Sequence, residues 1–287
     1  MKTQRYIKVA FLSLALLISS SAIAQLSGSA RQAVDRANEM MEFVLDNYTV
    51  HYPDQPYWQE VYAEAKHAIN LAVGAPEPIG VLAEAYSRSH WHGPAFQTWL
   101  EFAAAGGEFT AEQLELFTLS AEQNAYAAYQ RGELDSAADY YRAITRHNPR
   151  DENAFRWLGR IASEMGNPEE AVAAWEVVVE LTPDDRGAQY FLDLARAEAK
   201  WGVSAAHYFF DGVRFYEAGD LAQARLSFAS ATSRNGSYAE AWAWLGRVNF
   251  ETERFTDAAR AYERASNLEP GNSTYKYFLQ ESNRKSE

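Results

Sequence analysis

The sequence predicts an all-α fold, a solenoid of antiparallel helix hairpins, and three observations carry that prediction. Pro149 and Pro183 stand 34 residues apart, and each closes a block with a glycine, an alanine and an aromatic residue at fixed offsets: Gly132, Ala137, Tyr141, then Gly166, Ala171, Trp175. The template returns as Gly219, Ala224 and Phe228, and again as Ala258, Tyr262, Ala265 and Pro270. Helix-start signals recur as well. Asn167-Pro168-Glu169-Glu170 joins an N-cap, a proline at the first helical position and a glutamate three residues after the cap, and Asp220 followed by Gln223 repeats that logic. Finally, no stretch of useful length alternates apolar and polar residues as a strand would.

The template has a packing rationale. Small residues such as Gly159, Gly246, Ala171 and Ala258 let two helices approach closely, while Tyr141, Trp175, Phe228 and Tyr262 fill the wider gaps. Pro149, Pro183 and Pro270 end the second helices, because proline cannot continue the hydrogen-bond ladder. One block of two units runs over 118–185, with Phe155, Leu158, Gly159 and Ala162 on a first helix. Another runs over 205–272, with Trp242, Leu245 and Gly246 in the corresponding place. A further helix with a matching start follows each block, Gln189-Tyr190-Phe191-Leu192 and Lys276-Tyr277-Phe278-Leu279. The pairs Gly159 and Gly246, Pro183 and Pro270, and Tyr190 and Tyr277 are all 87 residues apart, and Trp157-Leu158-Gly159-Arg160 recurs as Trp244-Leu245-Gly246-Arg247. The chain therefore divides into 118–204 and 205–287, two copies of a module with two hairpins and a capping helix.

Residues 25–117 are helical in pattern but follow the template less closely. Ala30 to Tyr48 and Trp58 to Val73 read as amphipathic helices split by the loop around Pro53 and Pro56. Leu82, Tyr86, Ala95 and Trp99 outline one more hairpin, turned at His90-Trp91-His92-Gly93-Pro94 and ended by Gly106-Gly107. This region reads as divergent repeats, with a separate helical cap as the alternative.

A 34-residue period with these small and aromatic positions resembles the tetratricopeptide repeat over roughly 76–285, most strongly from Thr118 onward. The resemblance implies a right-handed superhelical solenoid that serves as a protein-binding scaffold and whose first helices line a concave groove. On that pattern Glu122, Tyr126 and Tyr129, Arg156, Arg160 and Ser163, Phe209, Val213 and Tyr216, and Ala243, Arg247 and Phe250 are candidate groove residues. Rigid aromatics would give contact area and arginines would take carboxylates, which points to an acidic peptide or a free carboxylate as the partner. The other reading pairs the arginines along their own helices, since Glu152, Arg156, Arg160 and Glu164 are four apart and Glu251 follows Arg247 by four. The set of Lys and Asn residues with which some family members grip a terminal carboxylate is not found here.

The first residues form an export signal by pattern. Lys2, Arg5 and Lys8 precede an apolar run from Val9 to Ile18, and Ala22-Ile23-Ala24 fits a cleavage site after Ala24. The run is half the ~20 residues that span a bilayer, so a cleaved signal over 1–24 and a periplasmic or secreted protein are expected, with no later spanning segment. Cleavage removes three of the 26 basic residues and none of the 39 acidic ones, leaving a net charge of −16. That balance opposes binding to a nucleic-acid backbone. With no cysteine in the chain, disulfides, thiolate metal sites and a cysteine nucleophile are excluded.

His90 and His92 flank Trp91 but have no third ligand near in sequence, so they read as turn residues and not as a metal site. His51, His67, His147 and His207 are isolated, and no phosphate loop or nucleophile elbow is present. The acidic pairs Glu169-Glu170 and Asp184-Asp185 fall at helix starts, where the dipole favours them. No catalytic, metal or cofactor residues are therefore expected. The expected function is a non-enzymatic envelope scaffold binding a protein or peptide, with self-association open. The alternative is a glycan-binding or glycan-processing protein using some of the 8 Trp and 17 Tyr residues.

Overall fold

The computed structural model describes residues 26–287, so the expected signal over 1–24 lies outside the described residues. These residues form fourteen α-helices and no strand, in two compact units divided between Gln113 and Leu114.

The first unit holds α1 (Gly28–Asn47), α2 (Pro56–Leu71), α3 (Pro76–Arg88) and α4 (His92–Ala104), with α1 packed on α2 and α3 on α4. Ala30, Ala33, Val34, Ala37, Met41 and Val44, three or four apart, bury one face of α1. Trp58, Val61, Tyr62, Ala65 and Ala68 do the same for α2. Pro56 and Pro76 open their helices, where a missing N–H leaves no bond unmade. The turn between α3 and α4 is shorter than the sequence suggests. His90 closes it at φ 60°, and Pro94 already belongs to the first turn of α4.

A capping box starts α5 (Ala111–Gln130) seven residues before the expected Thr118. The Thr110 hydroxyl accepts from the Gln113 N–H at 3.2 Å, and the Thr110 N–H donates to the Gln113 side chain at 3.1 Å. The second unit continues through α6 (Leu134–His147), α7 (Glu152–Glu164), α8 (Pro168–Leu181), α9 (Arg186–Trp201), α10 (Val203–Glu217), α11 (Leu221–Arg234), α12 (Ala239–Glu251), α13 (Phe255–Leu268) and α14 (Ser273–Ser286). Pro149, Pro183 and Pro270 each stand two residues beyond a second helix. The side chains of Asn167 and Asp220 accept from the Glu170 and Gln223 N–H groups as caps. The two 87-residue copies, separable in sequence, pack into this single compact unit. Each helix from α6 to α13 contacts the next in sequence, and Gly202, at φ 88°, is at once the C-cap of α9 and the N-cap of α10.

One contact sets the spacing of the second unit. A Cβ on Gly159, Gly212 or Gly246 would lie 2.7, 2.6 or 2.8 Å from the ring of Trp175, Phe228 or Tyr262, the residue 16 positions later on the paired helix. Each of those rings then stacks on one a further 16 residues along: Trp175 on Phe191 at 5.0 Å, Phe228 on Trp244 at 5.5 Å and Tyr262 on Phe278 at 5.4 Å. The series Ala125, Tyr141, Trp157 has the same spacing, with Ala125 fully buried and the two rings stacked at 5.8 Å. Stacked pairs of this kind add about 0.5–1.5 kcal/mol beyond the area they bury.

Replacing Gly159 with leucine forces a branched side chain into the Trp175 ring and is expected to cost about 1–3 kcal/mol, read as a lower urea midpoint. Gly28→Ala, with nothing within 4 Å of the new Cβ, is the control and should leave the midpoint in place. Equal midpoints for the two variants would contradict the seating of the ring on the glycine.

Candidate functional site

The first helices of the second unit carry a polar group that occurs twice. On α7 the Arg160 Nε donates to Glu164 Oε1 at 3.0 Å, and its Nη2 donates to the Tyr129 hydroxyl at 2.9 Å. Tyr129 in turn donates to Glu164 at 2.7 Å, and the guanidinium lies 5.3 Å from the ring centres of both Tyr129 and Trp157. The arrangement recurs 87 residues later. Tyr216 donates to Glu251 at 2.7 Å and Arg247 donates to Glu251 at 3.1 Å, with the guanidinium 4.8 Å from the Tyr216 ring centre and 5.0 Å from that of Trp244. The hydrogen bond to Glu164 raises the Tyr129 hydroxyl pKa, and burial followed by the bond to Glu251 raises that of Tyr216. Each group joins a tyrosine of one hairpin to the first helix of the next.

Beside each group is an open cavity. The first, about 610 Å³, is lined by Trp157, Arg160, Glu164, Trp175 and Phe191 among others, and the second, about 550 Å³, by their counterparts Trp244, Arg247, Glu251, Tyr262 and Phe278. Around this shared frame the linings diverge. Asn153, Arg156 and Ser163 in the first correspond to Glu240, Ala243 and Phe250 in the second. The first also takes in α9 and α10 through Glu198 and His207. The Glu198 side chain is only 3% exposed, and its Oε1 stands 2.6 Å from His207 Nε2.

The structure distributes the sequence-predicted residues unevenly. Arg160, Ser163 and Arg156 line the first cavity, and Arg247, Phe250 and Ala243 line the second. Tyr129 and Tyr216 hold the arginines. Tyr126 is half exposed, its ring 6.4 Å from that of Trp157, and Glu122 accepts from Asn153 at 2.6 Å. Phe209 is a correction. It is buried against Phe228 and Tyr238, with ring centres 5.8 and 4.9 Å away, and Val213 packs on the same core. The turn of α10 that carries them faces α11, where the sequence reading put an open face.

The arginines do not form a surplus of positive charge. Arg156 bonds both Glu152 and Asp185, Arg160 bonds Glu164, and Arg247 bonds Glu251. Sequence reasoning missed Glu198 and treated His207 as isolated. The signal was present, because Ala188, Leu192, Ala195 and Glu198 follow one another at helical spacing and a carboxylate ends that buried stripe. His90 and His92 sit at the α3 to α4 turn with ring centres 5.8 Å apart, and burial, then His90, lowers the His92 pKa. Among the described residues no group of three or more His, Asp or Glu side chains is placed to hold a metal ion, and no helix is long and apolar enough to cross a membrane.

A tetratricopeptide repeat family model matches residues 123–186 and 212–272, which include Trp157, Arg160, Glu164 and Trp175 of the first cavity and Trp244, Arg247, Glu251 and Tyr262 of the second. Over these residues the chain carries tetratricopeptide repeats. Such repeats are scaffolds suited to binding proteins or peptides. A curated relative, the peroxisomal targeting signal receptor of Yarrowia lipolytica, is 44% identical over 62 residues, 21% of this chain; the chain spans about a tenth of that receptor's length. Among solved structures, a tetratricopeptide repeat protein from Parabacteroides merdae is 13% identical, with a TM-score of 0.36, over 88% of this chain and 99% of that one. Pseudomonas aeruginosa pilF is also 13% identical, with a TM-score of 0.31, over 88% and 99% of the two chains.

Asp185 gives these repeats a dependence on pH. The bond from Arg156, then those from the Ala188 and Gly187 N–H groups, hold its carboxyl pKa below the usual carboxylate range, and Arg142 does the same for Glu170. A folded pKa below the unfolded value contributes stability above about pH 4, and that stability is lost as pH falls through the lower folded value. The urea midpoint should therefore fall with acidification below about pH 4. Asp185→Asn, which can still cap α9 but does not titrate, should flatten that limb; an acid limb as steep as the parent's would rule out the contribution.

Proposed function

We propose that this protein is a non-enzymatic scaffold of the cell envelope that holds a protein or peptide partner on the first helices of its second unit. The export pattern before Gln25 supports a periplasmic or secreted location. The observation that carries the docking reading is the cavity built twice, 87 residues apart, with a tryptophan, an arginine, a glutamate and two further rings kept in place. An extended chain presents side chains at intervals, and a repeated frame receives them at intervals. Volumes near 600 Å³ suit groups of side-chain or small-molecule size, and rigid rings supply contact area at low entropic cost.

A glycan would need open ring faces. Trp157, Trp201 and Trp244 each carry a stacked partner, Tyr141, Tyr238 and Phe228, and a cation beside the ring, Arg160, Lys200 and Arg247. This favours the peptide reading over the sugar reading. The cavity arginines and their glutamates, held in mutual ion pairs, support a binding role over acid-base chemistry.

The test is photocrosslinking in envelope extract, with the reactive group at Ser163 and, as control, at the exposed Glu180 on α8. A discrete adduct should form from position 163 alone. The double variant Arg160→Glu, Arg247→Glu should keep its helical circular dichroism and lose that adduct. An adduct that survives the double change, or forms equally from position 180, would move the docking site elsewhere.

A further inference from the structure

We infer that the first cavity receives a basic side chain, a lysine or arginine of the peptide partner, with Glu198 as its counter-ion. The inference rests on the docking reading above and adds the chemistry of the guest. A buried carboxylate is costly unless a charged or strongly hydrogen-bonded partner meets it. Glu198 is 3% exposed and meets only the imidazole of His207 among the bonds described, and that side chain is itself 56% exposed. The other charges of the cavity are matched: Arg156 by Glu152 and Asp185, Arg160 by Glu164. Glu198 is thus the carboxylate without a guanidinium.

The walls fit the same guest. Trp157, Trp175 and Phe191 line the cavity with Leu194 and Val203. Apolar walls take the methylene stem of lysine or arginine and leave its charge to Glu198. The chain's net charge of −13 steers cations toward it and anions away.

The second module supplies an internal comparison. The residue 87 positions after Glu198 is Lys285, and its ammonium lies 5.3 Å from the ring centre of Phe250, which lines the second cavity, and 5.1 Å from that of Phe255. Where the second module places its own ammonium over rings, the first has a carboxylate. The two modules thus carry opposite charges at this position, and of the two residues only Glu198 lines a cavity.

The experiment uses the full chain and three acetylated, amidated pentapeptides with two alanines on each side of a central lysine, norleucine or glutamate. Binding is read from the indole N–H signals of Trp157, Trp175 and Trp244 in NMR titrations. The lysine probe should shift Trp157 and Trp175 more than Trp244 and bind about tenfold tighter than the norleucine probe. Glu198→Gln should abolish that preference. His207→Ala, which uncovers the carboxylate, should tighten lysine binding, a gain that misfolding cannot produce. Equal affinity for lysine and norleucine, or a lysine preference that survives Glu198→Gln, overturns the inference and leaves the docking reading standing. Absence of indole shifts with all three probes overturns the inference, while the adduct at position 163 decides the docking reading separately.

Discussion

The second unit depends on a ring seated on a residue with no side chain. Trp175, Phe228 and Tyr262 approach Gly159, Gly212 and Gly246 so closely that a β-carbon at those positions would enter the rings. Because each ring also stacks on an aromatic of the following helix, one contact within a hairpin and one between hairpins share the same side chain. The spacing of the helices and the advance from one hairpin to the next are thereby coupled. Burying such a ring is worth about 1.5–3 kcal/mol, and the gain is repeated along the unit.

The functional features follow from that frame. Trp157 and Trp244 end the stacked series of one hairpin and border the cavity of the next, where Arg160 and Arg247 lie beside them. The exposed ion pairs there are worth about 0.2–1 kcal/mol each, too little to hold the fold. Their consequence is positional. They fix the guanidinium beside two rings and cancel its charge, so each cavity presents aromatic surface with local polarity but no excess of positive potential. In such a lining a buried and weakly matched carboxylate such as Glu198 changes the preferred guest.

The helices and their pairing were legible in the sequence because periodicity and capping are local. Asn167 and Asp220 cap where their spacing indicates, and the three prolines stand just beyond helix ends. The start of α5 was misplaced because Thr110 and Gln113 form a capping box ahead of the repeat template, where the 34-residue period gave no cue. Phe209 was misassigned because three residues spaced along α10 were given a common outer face. Phe209, Val213 and Tyr216 do share one face, but that face packs on the core of α11 and α12, and only the Tyr216 hydroxyl extends beyond it to Glu251.

By itself the sequence determined the repeat, its duplication at 87 residues, the helix ends marked by a cap or a proline and the small and large positions of the hairpins, since all of these repeat along the chain. Only the tertiary structure decided which residues face the cavities and which charges remain unmatched. Arg156 finds Asp185, Tyr129 finds Glu164, and Glu198 meets His207 across the α9 to α10 break. Such pairings depend on where one helix lies against another, and the fit of rings on glycines sets that placement, not the spacing within either helix.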